Sequence, residues 1–398
     1  MIEASTPTRV PVTTPPRATL RSRLPIPRDF GPYAVVIGLA VVWIVFQLLN
    51  SNFLSPRNLS NLTLQIAVLG TISVGMVIVL ILGEIDLSVG AIAGVSAATM
   101  AVLSTNAGAP AWVAILAALA FGAVIGLIQS LVIVFVGIPS FIVTLAGLLV
   151  WQGVQLIIIG DNGQVALNDP FLKSIASTYV SPAGGWAIAA AVIVAFAAWR
   201  WTARRMRSRA GLAVRPASAD VIGVAIVAVL ILLATWLLNS YFGIPWVLVV
   251  LLGLVGVMSA VMSLSPFGRH VYAIGGNREA ARRSGIRVRG ATIAVFVIIA
   301  VIAGIAGIIE ASREFSASSA LGGGTLQLNA IAAAVIGGTS LFGGRGRVYN
   351  VVGSIENGLD LLGQPAAVQS ITTGIILALA VSVDALGRKR LARRGAAR

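Results

Sequence analysis

Long apolar runs separated by short polar loops dominate this chain. They fall at roughly 31–50, 62–82, 87–104, 111–136, 139–159, 184–200, 220–239, 245–264, 291–309 and 369–386. Each reaches or nearly reaches the ~20 residues that a hydrocarbon core requires of a helix. The pattern predicts an all-α polytopic membrane protein with about ten full transmembrane helices. Two shorter apolar pieces, 330–342 and 348–362, predict one further re-entrant or hairpin element.

Charge orients these spans. Only 10% of the residues are charged, against 58% hydrophobic, yet the net charge is +15. Of 28 lysines and arginines, five precede residue 31, six lie in 200–218, six in 265–290 and six from 388 onward. Basic residues gathered in a few short loops mark the cytoplasmic side of a membrane protein. A nucleic-acid partner would need a basic face continuous in space, and nothing in the sequence indicates one. Both termini and the 200–218 and 265–290 loops are therefore expected in the cytoplasm. Parity then makes 330–362 leave and re-enter on the same side.

The expected organisation is a disordered tail, 1–30, a transmembrane domain, 31–386, and a basic tail, 387–398. The tail reading of 1–30 rests on its Pro, Thr and Arg content. The run at 31–50 is longer than a signal-peptide core and reads as a first span. Gly137-Ile138-Pro139 and Gly243-Ile244-Pro245 open two spans that cross in opposite directions. They suit either an inverted repeat or a common helix opener. Gly90/Gly94 and Gly122/Gly126 have the small-xxx-small spacing of close helix packing.

The chemistry for an enzyme is missing. The single histidine, His270, lies in the basic loop, so neither a Ser-His-Asp site nor a histidine metal site can form inside the membrane. There is no cysteine, and no metal ligand set. An aspartyl dyad from Asp86, Asp360 or Asp384 has no flanking pattern to support it. No P-loop occurs, so the chain has no nucleotide site of that kind and binds no cofactor of its own.

The 265–290 loop carries a small helix design. Asn277 suits an N-cap and Gly285 a C′ position. Glu279 in the first turn and Arg282 and Arg283 in the last complement the helix dipole. A helix of about two turns is marginal in water, so this one implies a surface to dock against, or else a solvated basic loop. Glu84 and Asp86 lie between two spans, where acids are costly. They read as a structural break adjoining a pathway, or as a polar turn in which Asp86 caps the helix that starts near Leu87. Glu356 and Asn357 sit in a modestly apolar segment. The glycine cluster at 337–347 interrupts an apolar run, and irregular backbone at membrane depth must be buried or line a cavity.

Four segments together resemble the membrane permease subunit of bacterial ATP-binding-cassette sugar importers of the ribose/xylose type. They are Glu84 to Gly90, Ile138 to Leu145, Gly268 to Ile286 and Ile336 to Gly346. The spans around 184–264 look most like the D-xylose branch. The resemblance implies import of a monosaccharide, a pentose such as D-xylose. It also implies a separate ATPase subunit holding ATP and Mg, an extracytoplasmic sugar-binding protein, and a second permease copy. By resemblance the ATPase-coupling helix is 277–285, with Gly275 and Gly276 letting the chain turn into it, and with Asn277, Glu279, Ala280, Ala281, Arg282 and Gly285 forming it. Candidate pathway residues are Glu84, Asp86, Phe141, Thr144 and Asn357, with Trp151 and Gln155 as further sugar-binding side chains. One departure stands out: Val348 leads to Ser354 almost at once, where such permeases carry a longer helix. An ion-coupled carrier or channel using Glu84 and Asp86, or a non-transporting paralogue, are the alternatives.

Overall fold

The computed structural model describes residues 41, 43–212, 214, 216–323 and 326–348. Of the ten expected spans, eight fall within them. Among the described residues, seven helices are long and apolar enough to cross a membrane. They are α1 (Pro56–Leu82), α3 (Ala111–Leu131, extended by a π turn over Val132–Val136), α4 (Ser140–Ile159), α6 (Pro182–Arg209), α7 (Ala217–Asn239), α8 (Trp246–Leu264) and α11 (Val288–Glu314). The eighth, α2 (Val89–Thr105), has 17 residues. Four short helices complete the set: α5 (Pro170–Ser177), α9 (Pro266–Gly276), α10 (Arg278–Arg283) and α12 (Leu326–Ile336). The tails at 1–30 and 387–398, the span at 369–386, Asn357 and the short stretch after Val348 lie outside the described residues, as does most of 31–50, whose described part is helical at 43–49.

Local chemistry sets the helix ends. Ser55 accepts a hydrogen bond from the Asn58 amide ahead of Pro56, which opens α1. Gly83, at φ 86°, closes α1, with its own amide donating to Leu80 O and that of Glu84 to Val79 O. That pair of bonds is a Schellman cap. Pro139 and Pro245 each precede the first residue of a helix, α4 and α8, and each follows a glycine with positive φ at two residues' distance. The helix-opener reading of Gly-Ile-Pro accounts for both.

The core is built on α1 and α11, whose apolar stretches are 78% and 67% buried; α6 and α7 are 11% buried and lie at the periphery. α11 packs against α1, α2 and α3. Small residues allow this. A side chain on Gly126 would strike the Phe296 carbonyl, and one on Gly122 would come within 3.1 Å of the Ala300 carbonyl. Gly90 and Gly94 serve a different neighbour, the irregular chain around Leu321 and Gly322.

The connections sort to two ends. At one, β1 (Gln164–Ala166) pairs antiparallel with β4 (Ser316–Ser318), and β2 (Tyr179–Val180) with β3 (Ile244–Pro245). Thr105 at the end of α2 donates to Ala166 O there. At the other end, Ile85 meets Ser140, Phe135 meets Arg289, and Glu84 meets Arg278. This alternation is the one that the charge distribution predicts. Near the basic turn of the α6–α7 pair, Arg200 and Arg204 both bind Asp220, at 2.5 and 2.9 Å. Arg205 lies over Trp201, an aromatic and basic edge suited to a membrane interface.

The expected hairpin begins as a broken span. After β4 the chain dips alongside α2 as loop 319–323. It then runs along α1 as α12, and reaches the far end at the glycine cluster. Gln155 on α4 holds the loop, its amide donating to Ser318 O and Leu321 O at 2.9 Å each. Leu321 and Gly322 are buried against α2, as irregular backbone at membrane depth demands. The returning arm, 348–362, lies outside the described residues except for Val348.

Candidate functional site

The end that carries α9 and α10 brings together three segments distant in sequence. These are the C-terminus of α1 with the extended strap 84–88, the 265–290 loop, and the glycine cluster 337–346.

The helix α10 forms as its local residues dictate. Asn277 Oδ1 accepts from the Ala280 amide at 2.9 Å. The Gly285 amide, in a residue at φ 82°, donates to Arg282 O, and the Ile286 amide to Ala281 O. Glu279 binds Arg282 at 3.1 Å and Arg283 at 3.0 Å, and these hydrogen bonds hold its carboxyl below the usual range. The helix is six residues long, shorter than two turns, because Asn277 is extended. Ala281 is the residue buried against the body; Arg278, Glu279, Ala280, Arg282 and Arg283 are exposed.

Gly275 and Gly276 differ in role. Gly275 lies where main chains cross: a methyl on it would fall on the Ile81 carbonyl and 2.6 Å from the Gly344 amide. Those two groups are hydrogen-bonded to each other at 2.8 Å. Close approach, rather than a turn, is what Gly275 provides. Gly276 faces open space and is exposed. The cluster completes the junction with positive φ at Gly343 and Gly344, and Tyr272 donates from its hydroxyl to Gly346 O at 2.9 Å.

The strap 84–88 joins this junction to the interior. Glu84 pairs with Arg278 of α10. The Ile85 amide donates to Ser140 Oγ at 3.2 Å and the Leu87 amide to Thr144 Oγ1 at 3.1 Å, both on α4. Asp86 is buried; its Oδ1 accepts from the Ser88 amide and hydroxyl, and that hydroxyl also reaches Gln129 Oε1 at 3.0 Å on α3. Asp86 closes a local turn with Ser88, but it does not cap the next helix as expected: α2 begins at Val89 rather than near Leu87, with Ser88 at its N-cap and no side-chain capping bond. The structure thus places Glu84 and Asp86 on one strap and joins Thr144 of α4 to it through the Leu87 amide. Phe141 is half-exposed on the outer face of α4, away from them. Ser140, Ser88, Gln129, Arg278 and Tyr272 were not singled out by sequence reasoning as site residues. Their roles depend on partners more than 40 residues away, with the Asp86–Ser88 contact as the local exception.

Comparison with known proteins places the chain. It matches the family described as "branched-chain amino acid transport system / permease component" over residues 58–381. The xylose transport system permease protein of Escherichia coli K12 is 41% identical over 346 residues, covering 85% of this chain and 87% of that protein. That of Haemophilus influenzae is 37% identical over 366 residues, 90% and 97% of the two chains. The ribose import permease protein of Bacillus subtilis is 32% identical over 364 residues, 90% and 92%. No solved structure matches the chain. With the match running from the start of α1 past the end of the described structure, the chain belongs to this family of membrane permease components.

Proposed function

We propose that this chain is the membrane permease subunit of an ATP-binding-cassette importer for a monosaccharide, a pentose and above all D-xylose. The relatives named for xylose and ribose support the substrate class. The observation that carries the mechanism is α10, a capped helix exposed on every side but that of Ala281 and joined to the body through the Gly275 junction. Such a helix suits insertion into a cleft on a cytoplasmic ATPase. ATP and Mg belong to that partner. An extracytoplasmic sugar-binding protein delivers the substrate, and a second permease copy completes the pathway. ATP binding and the loaded binding protein each favour one state of the permease, and only their differential affinity shifts its equilibrium.

The ion-coupled alternative loses ground because Glu84 is engaged by Arg278. The test is capture of the ATPase encoded alongside the chain, with and without residues 275–286 replaced by a Gly/Ser linker. Capture that depends on those residues is the expected result; no capture by the native loop overturns the reading. Gly276→Asp or Glu279→Arg leaves the permease folded but uncouples ATP hydrolysis from uptake, as measured in reconstituted vesicles.

A further inference from the structure

The Glu84–Arg278 pair links the strap 84–88 to α10. Arg278 is the first residue of α10, and its side chain is half-exposed; the Glu84 side chain is 12% exposed. Glu84 begins the strap, which is non-helical and therefore free of a helix's own hydrogen-bond ladder. The strap's next contacts lie on α4, through Ser140 and Thr144, and on α3, through Ser88 and Gln129. A movement of α10 that carries Arg278 with it pulls on Glu84 and is delivered to the buried faces of two spans. A partly exposed ion pair contributes little to stability. Its value here lies in what it connects.

We infer that Glu84 is a positioning residue for energy coupling: its ion pair with Arg278 transmits the displacement of α10 along residues 84–88 to α4 and α3. The inference rests on the coupling role proposed for α10. It assigns to Glu84 neither substrate contact nor ion translocation.

The complete complex of permease, ATPase and binding protein, reconstituted in vesicles, provides the test. ATPase capture, ATP hydrolysis and uptake of labelled D-xylose and D-ribose are measured together. Glu84→Gln is near-isosteric and lies outside the docking helix. It should leave capture and hydrolysis within twofold of wild type while the sugar moved per ATP falls about fivefold or more. The charge swap Glu84→Arg with Arg278→Glu should recover at least half of the lost ratio, and Arg278→Lys, which keeps the charge, should retain most of it. A purely structural pair would instead lower yield and thermal stability without changing that ratio. Glu84→Gln with the wild-type ratio, or a swap no better than Glu84→Gln alone, overturns the inference and leaves the importer reading intact. A wild-type chain that captures no ATPase overturns both.

Discussion

Gly275 shows how one residue type decides a contact. Its missing side chain leaves room for the hydrogen bond from the Gly344 amide to the Ile81 carbonyl. Neither backbone group can rotate aside as a flexible side chain would. Gly275→Ala should therefore cost about 1–3 kcal/mol from overpacking, with further loss from the broken hydrogen bond. A drop of several degrees in the thermal midpoint of the detergent-solubilised protein is expected. Gly276→Ala, one position on, meets open space and should leave the midpoint unchanged. Equal effects from the two alanines would contradict the junction described here.

At the scale of elements, α10 and loop 319–323 represent opposite cases. The caps of α10 were legible because each acts within four residues: Asn277 on Ala280, Gly285 at the end, Glu279 on two arginines. Asn277→Ala should remove about 1 kcal/mol of helix stability, seen as weaker ATPase capture with an unchanged melting midpoint of the permease alone. Loop 319–323 was not legible, because what holds it is Gln155, more than 160 residues away. Sequence reasoning offered Gln155 as a sugar ligand, whereas its amide is committed to two carbonyls. Gln155→Leu leaves both carbonyls without that donor, a loss of about 1–3 kcal/mol, and should lower the melting midpoint even with no sugar present.

Across the whole molecule, hydrophobic run length gave the spans and clustered arginines gave their alternation, since the bilayer imposes both. What escaped was the tertiary meeting of Gly83, Gly275 and Gly343, because a glycine in a sequence carries no mark of the backbone it will touch. The sidedness has a clean test, because the chain contains no cysteine. Cysteines placed at the exposed Ser208 and Ser284 should react with an impermeant maleimide only from the cytoplasmic side. Those at Ser177 and Ser240 should react only from outside. Labelling of all four from one face would refute the topology.

The crossing at Gly275 also bears on how this protein can vary and fail. A contact made of main chain cannot be improved or compensated by exchanging neighbouring side chains, so inactivating point mutations should concentrate on its glycines while adjacent exposed positions absorb change silently. A random mutant library selected for lost folding and lost uptake together would then return Gly275, Gly343 and Gly344 far more often than the exposed Ala273, drawing the junction as a map of intolerance.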